Sequence, residues 1–126
     1  MTDQKGTDSK GDIEDWWGDD PAAINRRVDA LRDEIDRLDE QLVFLLNARA
    51  RCALVIGQLK KILKMEIYQP TREEAVLAHV RGVNPGPLDA DAVARLFERI
   101  IDEARRLERV VQAREDEAGS DPATRA

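Results

Sequence analysis

Apolar residues recur at alternating steps of four and three along one stretch of this chain. They run Ile24, Val28, Leu31, Ile35, Leu38, Leu42 and Leu45, and then Arg49, Cys52, Ile56, Leu59 and Leu63. A heptad stripe sustained that far predicts one long helix with a single apolar seam. Asp20-Pro21 supplies its start, an acid at the N-cap and a proline at the first helical position. No proline interrupts the stretch, and Gly57 is its one glycine. From Pro21 to about Lys64, at 1.5 Å per residue, the helix is roughly 60 Å long. The ordered part of the chain, 21–112, is too short to cover such a seam. The seam must meet another copy of itself or another chain, and a homodimer is the simplest answer.

Two shorter helices are predicted after it. Thr71, behind Pro70 and three residues before Glu74, reads as a capping box. The helix it opens carries Val76, Leu77 and Val80 and ends at Gly82. Asn84-Pro85-Gly86-Pro87 marks a turn. Asp89 caps a third helix with Val93, Leu96, Phe97, Ile100, Ile101, Ala104, Leu107 and Val111 on one stripe, which fades after about Gln112. Aromatic residues make up only 4% of the chain, which also leans towards helix. The expected fold is therefore all-α: a three-helix chain with one very long first helix, paired as a helical homodimer.

The net charge of −6 is unevenly spread. Residues 1–20 hold two lysines and seven acids, and residues 113–126 hold two arginines and four acids. Both ends are polar and aperiodic, so 1–20 and 113–126 are expected to be disordered tails around a helical domain at 21–112. Trp16 and Trp17 are unusual in such a tail; they suit either a contact with the first helix or a cap over a site. No basic stripe is present to neutralise phosphates, which argues against nucleic acid as a partner. The longest unbroken apolar run is Leu42–Leu46, far short of a membrane span, and no apolar segment follows the N-terminal Met-Thr-Asp-Gln-Lys-Gly. No membrane partner and a cytoplasmic location are expected. One cysteine, Cys52, excludes an intrachain disulfide framework, and the apolar seam makes it a core residue. One histidine, His79, excludes a Cys/His zinc site and reads as a surface residue. The only serines, Ser9 and Ser120, lie near the ends, which argues against a serine hydrolase.

Three charges sit where apolar residues belong. On a wheel with Leu31 at zero, Arg49 falls at about 0° and Lys60 at about 20°. On the third helix, with Val93 at zero, Glu108 falls at about 60°, between Phe97 and Ile101. Charged residues are seldom buried unless paired. One explanation is an Arg–Glu or Lys–Glu pair that fixes register. The other is a pocket between helices, lined by cations, that holds a small dianion. Arg49 and Lys60 lie three turns apart, roughly 16 Å, close enough for two long side chains to grip a metabolite. Arg32 lies roughly 25 Å from Arg49 on the same helix and would reach the pocket only from an antiparallel partner chain. The plain alternatives are that Glu73 is an ordinary first-turn helix acid and Arg72 a solvent-facing arginine.

Five segments add a resemblance. Leu31-Arg32-Asp33-Glu34-Ile35-Asp36-Arg37-Leu38-Asp39, Leu45-Leu46-Asn47-Ala48-Arg49, Gly57-Gln58-Leu59-Lys60, Pro70-Thr71-Arg72-Glu73 and Leu96-Phe97-Glu98-Arg99-Ile100-Ile101 resemble the all-helical AroQ-type chorismate mutases in order and spacing. The likeness covers about residues 24–111. It implies an intertwined dimer with two shared sites and the rearrangement of chorismate to prephenate for phenylalanine and tyrosine synthesis. By the same resemblance, Arg32 of the partner chain and Arg49 hold the two substrate carboxylates. Lys60 and Glu108 donate to the ether oxygen, Arg72 supports a carboxylate, and Glu73 binds the ring hydroxyl. Gln69 stands where many members have Asp, close to that hydroxyl. Glu108 stands where members have Gln or Glu, and it donates only when protonated.

The reaction so implied is unimolecular and needs no cofactor or metal. Its catalyst must hold a flexible dianion with the reacting ends together and stabilise charge growing on the ether oxygen. Arginine suits carboxylates through its bidentate fork, and lysine supplies a point charge. Sister enzymes on the same fold remain open, namely an isochorismate-pyruvate lyase or a 4-amino-4-deoxychorismate mutase. So does a non-catalytic helical module that binds a shikimate-pathway enzyme. No second domain is expected in these residues, so a second enzyme of the pathway would be a non-covalent partner.

Overall fold

The computed structural model describes residues 20–66 and 69–120. These form three helices, α1 (Pro21–Ile62), α2 (Pro70–Val83) and α3 (Ala90–Ser120), with no strand among the described residues. The expected tail 1–19, with Trp16 and Trp17, and the end of the second tail lie outside them.

The helix ends follow local chemistry. Asp20 caps α1 as expected: its carboxylate accepts from the Ala22 amide at 3.1 Å, and its carbonyl accepts from Ile24 at 3.0 Å. The far end closes just past Lys60. The Met65 amide donates to the Lys60 carbonyl at 2.8 Å and the Lys64 amide to Lys61 at 3.1 Å, with Lys64 at φ 58°. That is the Schellman closure, made here by a lysine in the left-handed region where glycine is usual.

At α2 the expected capping box does not form. The helix begins two residues earlier, at Pro70, with Gln69 in place of Thr71 as N-cap and no side-chain cap bond. The Gln69 carbonyl instead takes the amides of Arg72 and Glu73 at 3.0 and 3.3 Å. A proline at the first position already has the helical φ, so the start moves to it.

Asn84 organises the following turn, accepting from the Gly86 amide at 3.2 Å and donating to the Leu88 carbonyl at 2.7 Å. Asp89 caps α3 through the Ala92 amide at 2.7 Å. That helix does not fade at Gln112 but continues to Ser120, so residues 113–120 are helical rather than a disordered tail. Side-chain bonds support the extension. Lys61 donates to Gln112 Oε1 at 2.7 Å and pairs with Glu115 at 3.7 Å, and Gln112 donates to Asp116 at 2.9 Å.

The chain divides into two compact units, 1–44 and 45–126, and the division falls within α1. In the first unit the described residues are the opening turns of α1. Their seam faces outward: Leu31, Ile35, Leu38 and Leu42 are all exposed. In the second unit α2 packs on α3, and Val80 and Ala94 are the buried hydrophobic residues. Leu45, Ile56, Leu59 and Leu63 remain exposed there.

One expectation about membranes changes. Unbroken apolar runs in α1 are short, yet averaged over 18 residues α1 is apolar enough to cross a membrane, with a mean hydropathy of 1.5. Every window that qualifies contains Arg49 and Arg51. A charge at the bilayer centre costs about 2.5–3.5 kcal/mol, so the stretch is better suited to packing against protein than to lipid.

Candidate active site

The second unit contains a cavity of about 730 Å³, walled by the last turns of α1, the first turn of α2 and the middle of α3. That volume suits a small-molecule ligand. Helical spacing explains who faces it. Arg49, Ala53, Gly57 and Lys60 recur at steps of three and four along α1, as do Ile101, Ala104, Arg105, Glu108, Val111 and Gln112 along α3. The early start of α2 at Pro70 puts Gln69, Arg72 and Glu73 on the same wall.

Of the residues singled out in the sequence, Arg49, Lys60, Gln69, Arg72, Glu73 and Glu108 all line this cavity. Arg32 is the exception. It lies in the first unit, on α1, with an exposed side chain, and is not among the lining residues. Cys52 departs from its expected place in a core: it is exposed, free and on the cavity wall. His79 is at the surface, as expected.

The side chains are individually placed. The Arg49 guanidinium carbon stands 6.0 Å from the centre of the Phe97 ring, at the outer reach of a cation–π contact. Glu108 lies against the glycine of α1. A Cβ built on Gly57 would sit 3.7 Å from both Cδ and Oε2 of Glu108, so the bare backbone there lets the carboxyl come close to the helix. Burial pushes the Glu108 carboxyl above its ordinary range, against the opposing pull of Lys60 and Arg105. Glu73 forms an ion pair with Arg105, whose guanidinium also lies 3.7 Å from Asp102.

Three cations of this wall, Lys61, Arg105 and Arg109, were not singled out in the sequence. On the wheel Arg105 falls at about 120°, one step beyond Ile101 at the edge of the apolar stripe, where a charge is ordinary. It is also one turn from Glu108, the charge already out of place.

The arrangement has a clear chemical leaning. Arg105 offsets Glu73, and Lys61 offsets Glu115 near the end of α3. Arg49, Lys60, Arg72 and Arg109 remain as cationic lining beside a carboxyl that holds its proton to higher pH than usual. Such a set binds a small anion and offers donors to an oxygen that gains charge.

Comparison with known proteins agrees in family. Residues 31–109 match the family Chorismate mutase type II. A bifunctional chorismate mutase/prephenate dehydratase of Pseudomonas aeruginosa is 42% identical over 87 residues, covering 65% of this chain and 24% of that protein. The chain thus spans about a quarter of the length of that relative. A 4-amino-4-deoxychorismate mutase of Streptomyces pristinaespiralis is 33% identical over 89 residues, 70% of this chain and 69% of that one. Among solved structures, a chorismate mutase (form II) of Thermus thermophilus superposes with a TM-score of 0.64 at 37% identity, covering 66% of this chain and 94% of the other.

Proposed function

Because the chain belongs to the chorismate mutase type II family, we propose that it converts chorismate to prephenate. The observation that carries this reading is the gathering of Arg49, Lys60, Gln69, Arg72, Glu73 and Glu108 around one cavity of metabolite size. In the rearrangement one C–O bond breaks as one C–C bond forms within a single molecule. The protein's task is to fold a dianion into the reactive shape and to stabilise negative charge on the departing ether oxygen.

In this reading Arg49 takes one substrate carboxylate in its planar fork, backed by the ring of Phe97. Arg72 supports a carboxylate, Glu73 accepts from the ring hydroxyl, and Gln69 lies beside it. Lys60 and protonated Glu108 donate to the ether oxygen. The raised proton affinity of Glu108 supports its part, because only the acid form donates. Arg32 completes the site from the partner chain of an intertwined homodimer. The outward-facing seam Leu31, Ile35, Leu38 and Leu42 supports that assembly, since exposed apolar stripes of this length call for a protein partner. The setting is a cytoplasmic step of aromatic amino-acid synthesis. A non-covalent partner enzyme of the shikimate pathway belongs to the same reading.

A second reading has a specific observation behind it. The Streptomyces relative acts on an amino analogue, and Gln69 lines the cavity where the ring substituent is expected. An amide both donates and accepts, so it suits an amino group as well as a hydroxyl.

The test is direct. Purified protein is given chorismate or 4-amino-4-deoxychorismate, loss of substrate absorbance is followed, and the product is identified by NMR. Prephenate from chorismate is expected. Preference for the amino substrate would favour the second reading. Pyruvate with an aromatic acid, or no turnover of either substrate, would sink the mutase assignment.

A further inference from the structure

The Glu73–Arg105 ion pair joins two walls of the cavity, because Glu73 opens α2 and Arg105 lies midway along α3. Both side chains are about two-thirds or more shielded from solvent, at 28% and 32% exposure, so the pair is better protected from screening than a surface bridge. Asp102, one turn earlier on α3, steadies the guanidinium from outside at 3.7 Å. Arg105 also stands one turn from Glu108 on the same helix, and both line the cavity.

We infer that Arg105 is a positioning residue. It fixes the Glu73 carboxylate against the substrate's ring substituent and places its own charge beside Glu108, so that one guanidinium ties together the two carboxyl groups of the site. The inference rests on the mutase reading above and deepens it. Arg105 need not touch the substrate; it acts through Glu73 and Glu108. Without it, Glu73 loses the partner on α3 that holds its carboxylate at the cavity wall.

The two tasks give opposite signs, which separates them from simple damage to packing. Losing the pair weakens binding. Losing the positive charge near Glu108 removes one of the influences that favour its ionised form, so the carboxyl keeps its proton to higher pH. The other charged groups around the cavity are Arg49, Lys60 and Lys61 of α1, Arg72 and Glu73 of α2, and Arg109, Glu115 and Asp116 of α3. They are unchanged by the substitution, apart from the release of Glu73. Glu73, no longer neutralised by the pair, pushes Glu108 in the same direction.

The experiment uses the full chain as wild type, Arg105→Gln and Arg105→Lys. Steady-state kinetics with chorismate are measured from pH 5 to 9, and the Glu108 carboxyl is titrated by ¹³C NMR. For Arg105→Gln the expected result is a fall of about tenfold in kcat/KM carried mostly by KM, the scale of one charged hydrogen bond lost through an intermediary. Its alkaline limb and the Glu108 titration should both move to higher pH. Arg105→Lys restores the charge without the fork, so the titration should return towards wild type while part of the KM defect remains. If Arg105→Gln folds, stays within twofold of wild type and leaves the Glu108 titration in place, the inference is overturned and the mutase reading stands. If Arg105→Gln does not fold, Arg105→Lys decides: wild-type KM in that variant overturns the positioning role. A wild type that does not turn over chorismate overturns the mutase reading itself, and this role with it.

Discussion

Glu108→Gln is the substitution that isolates the proton requirement. Glu108 is partly buried against Gly57, and its burial outweighs the combined pull of Lys60 and Arg105, so its carboxyl titrates above the ordinary value. Above that raised pKa the fraction able to donate falls roughly tenfold per pH unit. If the proton on Glu108 reaches the ether oxygen, wild-type kcat must fall with that slope. Glutamine keeps the shape and supplies a donor that does not titrate, so Glu108→Gln should hold kcat level through pH 8.

The same shift has a consequence for stability. A carboxyl whose pKa is raised on folding contributes stability that is complete below its unfolded value and is lost as pH rises through its folded value. Glu108→Gln should therefore melt at a higher temperature relative to wild type at pH 8 than at pH 5. The assay is initial-rate kinetics with chorismate at half-unit steps, paired with melting curves in the same buffers. Full activity of Glu108→Ala at every pH would refute the reasoning, because an alanine has neither proton nor amide to give.

Other substitutions test the remaining parts. Lys60→Ala should lose at least about 10²-fold in kcat while staying folded, as checked by circular dichroism, since it removes one donor to the developing oxyanion. Arg32→Ala and Arg49→Ala should each be nearly inactive alone; mixed chains should recover activity if Arg32 acts across the dimer, because one site of the hybrid is intact. The wild type should sediment as a dimer and melt at a temperature that rises with protein concentration. A fully helical monomer at micromolar concentration would remove the shared site. Lys64→Gly should raise stability by up to about 1 kcal/mol in urea melts, because the left-handed residue that closes α1 is a lysine at φ 58°.

Much of the fold was written locally. The heptad stripe, Asp20, Asp89 and the Asn84–Pro87 turn place the three helices in the sequence almost where they occur, because each signal acts within a turn or two of itself. The departures come from effects of longer range or from competition. Thr71 lost the cap to Gln69 because Pro70 already fixed a helical φ. The extension of α3 to Ser120 is accompanied by contacts from Lys61, far away in sequence, to Gln112 and Glu115. No reading of residues 113–120 alone contains that partner.

The candidate site was legible for a different reason. A sequence agrees with its fold at every level except where function demands otherwise, and Arg49, Lys60 and Glu108 break the apolar stripes of their helices. A wheel detects such breaks, and these three residues do meet around one cavity. It detects only residues that violate a stripe. Arg105 lies at the stripe's edge, where a charge is ordinary, and its importance comes from Glu73 on another helix. The same limit applies to Cys52, which obeys the stripe and yet is exposed on the cavity wall. Misplaced charges therefore mark the groups proposed to touch the substrate, while the groups that hold them in place become visible only once the walls are brought together.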